Sequence, residues 1–98
     1  MKLRKLHEAL DDLYHAAAYY ESRSVGLGDA FLDATESLFD RLKRHPRMGP
    51  PVSDRVRRCI IPGFPYQVCY VIRDTEVLII AIAHQRRRPN FWRGRLPD

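Results

Sequence analysis

The 98-residue chain has no stretch approaching the ~20 apolar residues that a membrane-crossing helix needs. Nor does it open with the charged, apolar and small-residue succession of a secretory signal, so the protein is expected in the cytoplasm, with no membrane partner. Cysteine is scarce: Cys59 and Cys69 form no CxxC pair, which signals neither a zinc site nor a disulfide framework. They could approach across a hairpin, but in a reducing compartment both are expected as free core thiols. His7, His15 and His45 fall on different elements and make no ligand set, so no metal or other cofactor is expected. There is no internal repeat, linker or low-complexity segment. Residues 1–98 therefore read as one domain, large enough to fold without staples.

Acidic residues are also scarce, but only in the second half. Residues 1–40 hold 4 Lys and Arg against 8 Asp and Glu, whereas residues 41–98 hold 13 against 4, which accounts for the net charge of +5. A half that basic faces a polyanion or an acidic partner.

The most informative stretch present is EVLIIAIAHQRRRPNFWRGR, residues 76–95. Its apolar run, rich in Val and Ile, predicts a strand buried on both faces at the centre of a sheet. That strand must end near His84, because Arg86, Arg87 and Arg88 cannot leave water without partners. The expectation is a rigid strand that delivers a cationic, aromatic tail to one edge of the fold.

Ahead of it, residues 1–6 alternate weakly and predict a short first strand. Leu6, Leu10, Leu13, Ala17 and Tyr20 then form one helical stripe, with Glu8, Asp11, Asp12 and His15 outside it, predicting a helix over His7–Arg23. Gly26 supplies the stop. Leu27, Phe31, Ala34, Leu38 and Leu42 repeat the spacing until His45-Pro46 closes a second helix. Residues 47–55 read as a loop, residues 56–61 and 66–72 as strands joined by Pro62-Gly63-Phe64-Pro65. The result is an α+β fold of two layers in the order β-α-α-β-β-β plus a C-terminal tail, with the helical hairpin covering an antiparallel meander.

The segments HPRMGPPV, VRRCIIPGFPYQVCYVI and AIAHQRRRPNFW, after an AAAYYE helix and a GLGDAFLDA helix, resemble the ParE branch of the RelE/ParE superfamily of bacterial toxins. The likeness covers nearly the whole chain. It implies a two-helix hairpin on a small, mostly antiparallel sheet of three to four strands, and a cognate antitoxin that wraps and neutralises the toxin. It also implies one of two activities. RelE-type members cut mRNA on the ribosome, while characterised ParE members poison DNA gyrase.

Metal-independent RNA cleavage needs a base, a cation for the developing phosphorane and an acid. Of the three positions that the RelE likeness implies, Arg86 matches the tail arginine. Gln67 stands at the strand arginine and carries no charge, and Trp92 stands at the tail tyrosine and has no proton to give in catalysis. A nuclease would have to use His84, Arg86 and an arginine of the second strand, Arg58. Arg57 and Arg58 point to opposite faces, so only one of them can share a groove with the tail. The preferred reading is binding to gyrase, directly or together with its DNA, through Arg86, Arg87, Arg88, Phe91, Trp92 and Arg93, which would arrest growth by blocking replication. Arg57, Arg58, Arg86 and Trp92 are expected to meet the antitoxin. Of the two rings, Phe91 is expected to fold back on the sheet and Trp92 to stay exposed, so that its loss would leave stability unchanged. A nuclease, and a toxin fold retained only to bind antitoxin, remain as alternatives.

Overall fold

Residues 77–83 are all buried, and their strand lies between two others. The computed structural model describes residues 1–97 and runs β1 (Lys2–Lys5), α1 (His7–Arg23), α2 (Leu27–Arg44), β2 (Val56–Ile60), β3 (Tyr66–Arg73) and β4 (Glu76–His84), ending in a single 3₁₀ turn at Arg93–Arg95. The sheet order is β1-β4-β3-β2. β1 pairs parallel to β4, and the other pairs are antiparallel. The expected α+β architecture and element order are therefore present.

The helical hairpin covers one face of the sheet. Phe31, Leu38, Phe39 and Leu42 of α2 are each no more than 1% exposed, an apolar gain of about 1.5–3 kcal/mol per side chain as an upper bound. The buried stripe of α1 runs through Ala9, Leu13, Ala16 and Ala17, while Leu10 is half-buried. Small residues on that stripe let α1 approach the sheet closely. Tyr20 and Phe31 pack on Phe64 and Tyr66 with ring centroids 5.0–5.8 Å apart, which fastens the hairpin to the β2–β3 turn. Gly26 takes the left-handed backbone (φ 88°) that the chain reversal requires. Beside it the Glu21 carboxylate accepts the N–H groups of Gly26 and Gly28 at 2.9–3.1 Å, placing negative charge at the start of α2.

A strand buried on both faces also needs cover on the side away from the helices. The C-terminal tail supplies it. Trp92 is 4% exposed and packs on Val56, Cys69, Val71, Leu78, Ile80 and Ala81, with Phe91 and Leu96 at the margin. The expectation that Trp92 is exposed is thus overturned: the far face of β4 was left without a lid, and the indole is the largest apolar group able to close it. Phe91 is half-buried against the same cluster. The two thiols end on opposite sides of the sheet, Cys59 in the helix-side core and Cys69 in the far-side core. They are free, and burial pushes the Cys69 thiol up to about 12, which leaves it protonated and unreactive.

The register of β4 against β3 shifts by one residue. Cys69 faces Ala81 and Tyr70 faces Ile79, so Ile80 is a bulge with no partner on β3. Ile80 and Ala81 both face the far side, and Ile82 returns to the helix side.

β1 stops at Lys5, which leaves the rest of the β4 edge without a neighbouring strand. Two side chains complete it. Asp12 of α1 accepts the Ile82 N–H at 3.0 Å, and Arg95 donates to the Ile80 carbonyl at 3.1 Å. The two side chains meet in a two-pronged ion pair at 2.6 and 3.2 Å. Asp12 raises the Arg95 guanidinium further above its usual range, chiefly through that hydrogen bond. Arg95 therefore contributes its stabilisation fully below its ordinary pKa and loses it only as pH rises past the elevated one, far into alkali. Arg95→Met is expected to cost about 2 kcal/mol, because it strands a largely buried carboxylate and the Ile80 carbonyl. In urea unfolding, the double variant with Asp12→Asn should lose less than the two single losses combined. Equal additivity would show that the pair is not coupled.

Candidate functional site

The site is built where β4 ends. Pairing with β3 stops at His84, opposite Tyr66, and the Gln85 N–H bonds the Pro65 carbonyl at 2.8 Å. The chain then turns back: the Arg87 N–H reaches the His84 carbonyl at 2.9 Å and the Arg86 N–H reaches His84 Nδ1 at 3.1 Å. A second reversal follows at Asn90, in the left-handed region (φ 66°), with the Arg93 N–H on the Asn90 carbonyl. These two turns carry residues 91–97 across the far face and leave Arg86, Arg87 and Arg88 exposed on the bend.

Between the bend and β2 lies a pocket of about 180 Å³. Gln67 forms its floor and is 5% exposed. Its Nε2 donates to the His84 carbonyl at 3.3 Å, and its Oε1 accepts from Arg58 Nη1 at 3.2 Å. Arg58 is therefore aimed by a neutral partner. Arg87 is held the same way, its guanidinium 4.8 Å above the Phe91 ring. Arg88 completes the cationic wall, and among the described residues no carboxylate lines this pocket. The arrangement can hold an anion. It offers no base to take a proton.

β2 is positioned by the loop before it. Gly49 sits so close that a Cβ there would meet the Arg58 carbonyl at 2.6 Å and the Tyr70 hydroxyl at 2.8 Å, so only glycine fits. The buried Tyr70 hydroxyl accepts from the Gly49 N–H and donates to the Pro46 carbonyl at 2.7 Å, and burial pushes its pKa up. Arg57 is fixed on this side, donating to the Arg47 and Gly49 carbonyls. It points away from Arg58 and does not line the pocket.

The residues expected at the site are thus only partly gathered. Arg58, Arg87, Arg88 and Phe91 share one pocket, with the buried Trp92 as its inner wall. Arg93 is exposed on the adjoining concavity beside Arg55, and Arg86 stands on the bend. His84 does not join Arg58. Its ring packs on Tyr66 of the helix-side face, 5.6 Å between centroids. The bulge at Ile80 is the reason. Unbroken alternation from Val77 would have put His84 on the far face, and one extra residue reverses it. Gln67 was legible as an uncharged group at a position implied for a catalytic arginine, but its role as the support of Arg58 was not. Arg95 and Asp12, which pin the tail, carry no signal in the sequence beyond their charges.

Among the described residues no cluster of His, Cys, Asp and Glu could hold a metal ion. Among the same residues no helix is long and apolar enough to cross a membrane.

No curated protein matches the chain in sequence. In three dimensions it is similar to a chain of the chromosomal ParDE toxin–antitoxin system from P. aeruginosa, with a TM-score of 0.63 and 18% identity over 86% of this chain and 95% of that one. That likeness speaks to the fold. The family model for the ParE toxin of the type II toxin–antitoxin system, parDE, matches residues 3–89, and by that match the chain belongs to the ParE toxin family of type II toxin–antitoxin systems.

Proposed function

We propose that this toxin acts by binding DNA gyrase through the cationic bend after β4, and that a cognate antitoxin neutralises it by covering the same basic half. One observation carries the reading. Arg86, Arg87 and Arg88 are exposed on a bend fixed by backbone hydrogen bonds to the central strand, and none has a carboxylate partner among the described residues. Arginines presented that way, unspent on internal ion pairs, are the groups that dominate interface energies. RNA cleavage finds less support. Gln67 stands at the position of the strand cation, Trp92 is enclosed, and His84 faces away from Arg58.

The test pairs two assays on the purified protein. Gyrase supercoiling should be inhibited, or cleaved DNA should accumulate with gyrase, while mRNA on translating ribosomes stays intact. Intact supercoiling with cut mRNA would instead establish the nuclease. If both assays are silent, the fold serves only to bind antitoxin.

A further inference from the structure

The anion pocket does not stand alone. It shares Val52, Asn90 and Trp92 with a second concavity, to which Arg55 and Arg93 contribute. That one shares Asp54 and Arg55 with a third, lined also by Arg47, Arg57 and Arg73. The three form one path along the β2 side of the molecule, bordered among the described residues by eight arginines and a single carboxylate, Asp54. A peptide with one or two acidic residues would use a fraction of that path. A chain with a negative charge at every unit would use all of it.

We infer that this path binds the sugar–phosphate backbone of nucleic acid directly, with Arg58 as the anchoring phosphate contact at its head. The anchor is identified by its preparation. Gln67 orients the Arg58 guanidinium without neutralising it, so little freedom is lost when a phosphate oxygen replaces water. Arg87 is oriented on Phe91 in the same sense, and by lying over that ring it occupies a face on which a base could stack. Contacts confined to phosphates position a strand without reading it, so binding is independent of base sequence. The inference rests on the reading that the basic end contacts the target, and it extends that reading from gyrase alone to the DNA that gyrase holds.

The experiment leaves gyrase out, so the two ideas fail separately. Anisotropy of fluorescein-labelled DNA, duplex and single-stranded, is measured against the purified toxin between 50 and 300 mM salt, quantities chosen at roughly the range where counterion release is steep. Arg58→Gln should weaken binding about five- to tenfold near 0.1 M salt and reduce the log–log salt slope by about 0.9 on duplex or 0.7 on single strands, the share of one phosphate contact. Arg87→Gln, at an exposed side chain stacked on Phe91, serves as the second variant should Arg58→Gln perturb folding. Arg23→Gln, at the end of α1 and outside the path, should change binding less than twofold. Equal losses from Arg58→Gln and Arg23→Gln would overturn the inference, since only net charge would then matter. So would an absence of DNA binding at low salt combined with Arg58-dependent binding of a glutamate-rich peptide, which would give the path to an acidic protein segment. A supercoiling assay that fails while Arg58-dependent DNA binding holds would sink the gyrase proposal and leave this one standing.

Discussion

Trp92→Ala is expected to cost about 3–5 kcal/mol, the range for emptying a buried large aromatic site. The indole is 4% exposed and closes the far side of β4 over Val56, Val71, Leu78 and Ile80, so removing it opens that core to water across its middle. For a domain of this length each kcal/mol moves the midpoint by about 4–8 °C, which puts the expected drop in Tm above ~12 °C. Circular dichroism should follow it, since the variant loses the protein's one tryptophan. Phe91→Ala, which removes a half-buried ring at the margin of the cluster, should cost appreciably less. A melting point unchanged by Trp92→Ala would mean that the tail does not lie on the sheet in solution, and the pocket walled by that ring would lose its shape. Any loss of toxicity in Trp92→Ala therefore has to be read alongside its stability before it says anything about binding.

The same residue shows what the sequence could and could not yield. The apolar run from Val77 predicts a strand covered on both faces, and that is what β4 is. The two helices account for one cover only. A second was therefore required, and Phe91, Trp92 and Leu96 were the large apolar groups still unassigned. Composition alone favours Phe91 as the ring that folds back on the sheet. The choice between neighbouring rings turns on the φ of Asn90 and on the 3₁₀ turn at Arg93–Arg95, which local composition does not specify. The bulge at Ile80 was likewise invisible, because Ile and Ala suit either face of a doubly buried strand. Hydrophobic alternation fixes a register only where one face is wet. The helices were legible for the opposite reason, since each buries one apolar stripe and leaves its other side wet, whereas β3, with Tyr66, Val68 and Tyr70 toward the helices and Cys69 and Val71 in the far-side core, was legible through the turn that precedes it. Asp12 was placed outside the apolar stripe of α1 and is in fact half-buried, spent on the open edge of β4. A polar residue beside a stripe is most often solvated, and only the short β1 creates the vacancy that Asp12 fills.

Replacing Arg86, Arg87 and Arg88 together by glutamine should abolish toxicity and raise the concentration needed to inhibit gyrase about a hundredfold, with stability changed by no more than ~0.5 kcal/mol. Both halves follow from where the side chains are. All three are exposed, and the backbone hydrogen bonds that fix the bend, from the N–H groups of Arg86 and Arg87 to His84, survive any side-chain change. Arg87 gives up its contact with Phe91, a pairing worth about 0.5–1 kcal/mol at most in water, and relief of repulsion among three adjacent cations offsets part of it. Arg95→Met is the informative companion. It removes one positive charge from the same tail, yet the Arg95 guanidinium is already committed to Asp12 and the Ile80 carbonyl, so the change should lower stability and affect gyrase only as far as the fold loosens. If instead the triple variant keeps its potency and Arg95→Met loses it at temperatures where the fold is intact, the harmful surface lies at the α1 side of the tail and not on the bend.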